Sequence, residues 1–227
     1  MANSGTLTVG TGCNFIVNGN LNNTGTAEVS GGTLTVNNSV AQLSGTTLTG
    51  GTWNARSNST INITTGSNII TNQGDVTLDG LASTFTNINS LANNQGNFSV
   101  LNGRNFTTAG DNSGTVTVGS GSDLEVAGDL TGAGNLSVNG ILTADSIVQN
   151  TLSIGAGAIV TIRPISGGPF AAQYQISPVP EPATITLLLL AGVGLGLWRS
   201  RRRDDGIQPK TYNLSKKISA KAAIIRE

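Results

Sequence analysis

The stretch "GTVTVGSGSDLEVAGDLTGAGNLSV", Gly114 to Val138, opens and closes on the same phrase. Each copy reads Gly, a small polar residue, an apolar residue, Thr or Ser, then Val. The apolar pairs Val116/Val118 and Leu136/Val138 therefore stand two apart, which is the period of a strand with one buried face. Between the copies lie Gly, Ser and Asp, which tolerate tight turns and left-handed backbone. Outward from this pair the phrase recurs as "GTLTV" at Gly5 and Gly32, "GTAEV" at Gly25, "GDVTL" at Gly74 and "GNFSV" at Gly96. Weaker copies, "GTWNA" from Gly51 and "STINI" from Ser59, fill the gap, and "TLSIG" and "IVTIR" end the series near Arg163. No helical pattern precedes residue 183.

Short strands recurring about every twenty residues, with turn clusters and no crossover helices, predict an all-β right-handed parallel β-helix, a solenoid with one coil per repeat. About eight coils at 4.7 to 4.9 Å per stacked strand would make a rod roughly 40 Å long, with Val, Leu and Ile inside and Thr, Asn and Ser outside. Asn-rich turns are expected to stack into internal amide ladders that satisfy buried polar groups. A β-sandwich is the alternative fold, but its strands seldom share one repeated phrase. The chain divides into the repeat region 1–163, a linker 164–178, a C-terminal segment 179–203 and a basic tail 204–227 expected to be disordered.

Twelve Lys and Arg balance twelve Asp and Glu, yet the zero net charge hides an asymmetry. Before Val179 the only cations are Arg56, Arg104 and Arg163, with no Lys. After Trp198, basic residues outnumber Asp204, Asp205 and Glu227. This distribution fits membrane topology, in which positive flanks stay cytoplasmic, better than nucleic-acid binding. The chain has no His, the commonest metal ligand and acid-base catalyst, and no cofactor is expected. The single cysteine, Cys13, has no internal disulfide partner and is expected to be a small buried apolar residue.

Ala183 to Trp198 carry no charge. At 1.5 Å per residue they span about 24 Å, slightly under the roughly 30 Å hydrocarbon core, and so predict a single short transmembrane helix. Trp198 suits the interface, and Arg199, Arg201, Arg202 and Arg203 would hold the cytoplasmic side. Val179, Pro180, Glu181 and Pro182, followed by the apolar helix and the arginine cluster, resemble the PEP-CTERM sorting signal of Gram-negative envelope proteins. The resemblance implies an exosortase as partner, a membrane cysteine transpeptidase that recognises the signal at the inner membrane and cuts near Pro-Glu-Pro. Pro180 and Pro182 would keep that peptide extended and poor in backbone donors. The preceding "ADSIVQNTLSIGAGAIVTIRPISGG" from Ala144 is similar to a segment that precedes this signal in planctomycete-type surface proteins, and the repeats resemble autotransporter-like passengers. The family implies a secretory signal peptide, which "MANSGTLTVG" is not, so the true start is expected upstream. The residues after Arg203 are expected to be an extended or frameshifted tail.

Asp123, Glu125 and Asp129 are the only clustered acids that suggest a Ca²⁺ or catalytic site, and a solvated acidic rim is the plainer reading. Paired threonines, Thr6 with Thr8, Thr33 with Thr35 and Thr115 with Thr117, point outward together, a pattern compatible with ice binding but also with ordinary exposed strands. The sequons at Asn58 and Asn62 fall within the chance level of so Asn- and Thr-rich a chain. The expectation is a non-enzymatic secreted surface or extracellular-matrix protein, sorted by exosortase, with exopolysaccharide or cell-surface glycans as possible contacts and no nucleic acid. The alternatives are the C-terminal part of a larger adhesin or carbohydrate-active enzyme, or an ice-binding protein.

Overall fold

The computed structural model describes residues 1–163 and, as a strand, residues 174–176. The repeated phrase builds one long sheet of eight strands, all parallel, stacked in chain order: Thr6–Val9, Thr26–Ser30, Thr52–Arg56, Asp75–Asp79, Asn97–Leu101, Thr115–Val118, Asn135–Val138 and Thr151–Ile154. Parallel stacking of consecutive repeats makes a β-solenoid of about eight coils. Strand pairing of this kind excludes the β-sandwich, whose neighbours are antiparallel.

A second face lies opposite. It begins with Asn14–Val17, Thr33–Val36, Thr60–Ile63 and Thr84–Phe85, is interrupted by the 3-10 turn Thr86–Ser90, and resumes with Asn105–Thr108, Asp123–Val126, Ile141–Ala144 and Ile159–Ile162. The "GTLTV" copy at Gly32 belongs to this face, since Thr33 pairs with Asn14 and Thr60. One sequence phrase thus serves two sides of the coil. The third side consists of two-residue strands at Asn-rich corners, such as Thr71–Asn72, Asn93–Asn94 and Asp111–Asn112.

Alternate residues of both faces point inward into one core. Val29, Ala55, Leu78, Val100, Val118 and Val138 line one inner column of the long sheet, and Leu34, Ile61, Phe85, Leu124, Leu142 and Val160 face it from the second. Trp53 is fully buried, and the small Ala27 and Ala55 beside it make room for the indole. Trp53 packs on Phe85 with ring centroids 5.6 Å apart, and Phe98 packs on Phe106 at 4.8 Å. Such tilted pairs add stabilisation beyond area burial.

The expected amide ladder is present: in five of the eight long-sheet strands an Asn stands two residues before the opening glycine. Asn72, Asn94 and Asn112 are buried. Asn72 Nδ2 donates to Asn94 Oδ1 at 2.9 Å, and Asn94 Nδ2 donates to Asn112 Oδ1 at 2.9 Å. Asn72 and Asn94 also donate to their own and the next coil's backbone, as Asn94 does to Gly96 O at 3.0 Å and Thr115 O at 3.0 Å, and Asn112 donates to Asn135 O of the next coil at 3.1 Å. Asn3 and Asn23 begin a similar pair at 2.7 Å. The glycine is required for stacking: a Cβ on Gly96 would lie 2.1 Å from Gly74 O, and one on Gly114 would lie 2.1 Å from Gly96 O.

The ladder is interrupted where a six-residue lengthening of the repeat folds out as the antiparallel hairpin Leu43–Ser44 with Thr47–Leu48. That coil carries Thr49, not Asn, before Gly51, and Trp53 Nε1 donates to Gly50 O at 3.1 Å. At the far end the coil opening at Gly134 has Gly132 in the Asn position. Gln149 reaches in to close the ladder, accepting from Asn112 Nδ2 at 2.7 Å and donating to Thr131 O at 2.8 Å.

Two expectations need comment. Cys13 is exposed, not buried. It occupies the corner where Ser59, Ser83 and Ser122 are buried in later coils, but the neighbouring strands Thr6–Val9 and Asn14–Val17 are end strands of their sheets and stack on one side only. The helix expected over Ala183–Trp198 lies outside the described residues, and among the described residues no helix is long and apolar enough to cross a membrane.

Candidate functional site

The outward face of the long sheet carries two polar columns. One runs Thr6, Thr26, Thr52, Asp75, Asn97, Thr115, Asn135 and Thr151, and the other Thr8, Glu28, Asn54, Thr77, Ser99, Thr117, Ser137 and Ser153. Thr33 and Thr35 are on the other face. Thr6, Thr26 and Thr52 are consecutive in the first column, and Asp75, Asn97 and Asn135 interrupt it further along, while Glu28 and Asn54 interrupt the second, so the threonines do not run the length of the face. The side chains bond along the stack: Asn97 Nδ2 donates to Asp75 Oδ1, Asn54 Nδ2 to Glu28 Oε2 at 2.7 Å and Thr151 Oγ1 to Asn135 Oδ1 at 2.7 Å.

At the edge of this face Arg56 ties three coils together. Its Nε lies 2.8 Å from Glu28 and its Nη1 2.9 Å from Asp79. Asp79 also accepts from Asn102 Nδ2 at 2.6 Å, adding a fourth coil. The three side chains are half-buried, and together they hold the register of successive coils. Of the sequon residues, Asn58 Oδ1 accepts from Ala82 N at 3.0 Å and Asn62 Oδ1 from Thr86 Oγ1 at 2.9 Å.

The three acids are not brought together. Asp123 and Glu125 share one face of the strand Asp123–Val126, but Asp129 lies at a corner, where it accepts from Ser146 Oγ at 2.6 Å. Glu125 instead meets Arg163 at 3.1 Å, and Arg163 also holds Asp145 at 2.6 Å. Nothing in the sequence marks that trio, since Arg163 and Glu125 are 38 residues apart. Among the described residues no group of three His, Cys, Asp or Glu could hold a metal ion. Asp123 Oδ1 is buried without a hydrogen-bond partner, as is Arg104 Nε on the neighbouring coil. Burial, and secondarily the charge of Glu125, raise the Asp123 carboxyl above its ordinary value, and burial lowers the Arg104 guanidinium.

Val179, Pro180, Glu181 and Pro182, with Trp198, Arg199, Arg201, Arg202 and Arg203, lie outside the described residues, so their order along the chain is what defines them. Two prolines around Glu181, an uncharged stretch and an arginine cluster follow the last coil in that order along the chain. Residues 178–203 match the PEP-CTERM protein-sorting motif. The match begins one residue before Val179 and ends at the last arginine of the cluster. No curated protein and no solved structure matches the chain. The PEP-CTERM motif supports processing by an exosortase, with membrane-anchored sorting followed by export to the surface in Gram-negative bacteria.

Proposed function

We propose that this chain is a non-enzymatic surface or extracellular-matrix protein whose solenoid is the cargo and whose PEP-CTERM segment is its address. The observation that carries this reading is the matched motif at residues 178–203, which follows the last coil along the chain. The segment would hold the chain in the inner membrane with the solenoid outside the cytoplasm. Cleavage near Pro180 to Pro182 would then deliver the solenoid to the cell surface or matrix, where exopolysaccharide or surface glycans are the polar partners it would meet.

Two features favour a scaffold over an enzyme. The outward columns spend their polar groups on one another along the stack, and the acids that could have paired for catalysis are divided among structural contacts. General acid-base work needs groups converging on one reacting bond.

Mass spectrometry of the surface-exposed or secreted protein tests the sorting half. The expected C-terminus lies close to Pro182, and material ending at Glu227 sinks the proposal. For the non-enzymatic half, the purified protein is incubated with uronate and neutral polysaccharides, and release of reducing ends or unsaturated products would overturn it.

A further inference from the structure

Three Asn-Gly steps fall within the described residues, Asn18-Gly19, Asn102-Gly103 and Asn139-Gly140, and each asparagine directly follows a strand. In such a step the glycine nitrogen, uncrowded by any side chain, stands close enough in sequence to attack the asparagine's own side-chain carbonyl. The surrounding coils treat the three steps differently. Asn102 Nδ2 donates to the Asp79 carboxylate at 2.6 Å, and Gly103 N donates to Ser122 Oγ at 3.2 Å. The nucleophile is thus engaged, and the neighbouring anion opposes negative charge developing on the amide oxygen. At the third step Gly140 is buried, and a Cβ on it would lie 2.3 Å from both Gly119 O and Ser122 O. Its backbone has no room to swing onto Asn139.

Asn18-Gly19 carries none of these restraints. Both residues are exposed, and a Cβ on Gly19 would have nothing within 4 Å. Among the described residues neither Gly19 N nor Asn18 Nδ2 has a hydrogen-bond acceptor. The one group that is held is the reacting carbonyl: Asn18 Oδ1 accepts from Asn37 Nδ2 at 2.9 Å, across the register that sets Val17 beside Val36. A donor on that oxygen stabilises the oxyanion of attack, while the unbonded nitrogen is the leaving group.

We propose that Asn18 is a self-modification site, which the folded chain converts to aspartate and isoaspartate. Hydroxide removes the Gly19 N–H proton, and the nitrogen bonds to Asn18 Cγ. The Cγ–Nδ2 bond breaks, and Nδ2 takes a proton from water and leaves as ammonia. Water then opens the succinimide at either carbonyl, so the sum is amide plus water giving acid plus ammonia, with nothing oxidised or reduced. Asn37 Nδ2 donates to the new carboxylate as it did to the amide, which leaves the coil folded.

The test holds the purified full-length protein at mildly alkaline pH and follows each Asn-Gly peptide by mass spectrometry, with and without urea. In the folded protein Asn18 is expected to convert on the order of tenfold faster than Asn102 and Asn139, and in urea the three rates are expected to converge. Equal rates in the folded protein overturn the proposal, as does a lead for Asn18 that urea leaves unchanged. Asn37→Leu, at an exposed position, is expected to slow Asn18 about two- to tenfold, the worth of one hydrogen bond, with the Asn102 rate and the melting temperature unchanged. An Asn18 rate unaltered by that substitution would refute the part assigned to Asn37.

Discussion

At the scale of single residues, the strongest constraints are the buried amides. Asn94 is 2% exposed and bonds to two neighbouring asparagines and two carbonyls. Asn94→Ala is expected to cost about 2 to 3 kcal/mol, because it leaves Asn72 Nδ2 and Asn112 Oδ1 each short of a partner in a low-dielectric interior. Asn97→Ala on the outer face should cost about 0.5 kcal/mol or less. Denaturant midpoints of the two variants check this, and similar midpoints would show the ladder to be decorative. Asp123 gives a pH-dependent case. Because its carboxyl is raised by burial and by Glu125, the folded state holds the proton more tightly than the unfolded chain. Stability contributed by this group is therefore lost as pH rises from the ordinary carboxylate value through the raised one. Asp123→Asn removes that slope, so thermal melts should show the variant gaining on wild type as pH rises above the ordinary carboxylate value of about 4. A constant difference across that range would refute the assignment.

At the scale of elements, what was legible in the sequence depended on whether a role is written locally. The long sheet was legible because its glycine, alternating apolar pair and polar outward residues lie within five consecutive positions, as in "GTVTV" from Gly114. Most of the second face was not, because strands such as Asn105–Thr108 and Asp123–Val126 lack the opening glycine. The stacking of Asn turns could be expected, but not that Trp53 and Gln149 fill the two places where the asparagine is missing. Those roles are defined by what neighbouring coils lack. Cys13 misled for a related reason, since its corner is buried only where coils lie on both sides. The sorting motif was legible because linear order defines it, while the Glu125, Arg163 and Asp145 cluster exists only once the register is set. Gln149→Ala is expected to cost about 1 to 2 kcal/mol and to act locally. Hydrogen exchange should speed up in the coils around Asn112 and Asn135 while the amides near Asn72 keep their protection. Uniform acceleration along the solenoid would contradict that.

At the scale of the whole molecule, each coil packs chiefly on its neighbours, with Arg163 to Glu125 and Gln149 to Asn112 reaching one coil further, so stability is close to a sum of coil and interface terms. Asn94 and Asn112 are 18 residues apart and occupy equivalent places. Deleting residues 94–111 would remove one complete turn and seat Asn112 beneath Asn72. The shortened protein is expected to fold with β-type circular dichroism and to lose about 4.8 Å of length by X-ray scattering. Deleting residues 94–102, half a turn, should abolish the cooperative melt, and equal tolerance of both deletions would argue against stacked coils. The glycine-on-carbonyl contact described above then has a consequence in the gene. Its codons recur in phase with the coil, so unequal crossing-over between two copies joins one intact turn to another. Descendants would differ in the length of the solenoid, one strand spacing at a time, with the sorting motif at residues 178–203 unaltered.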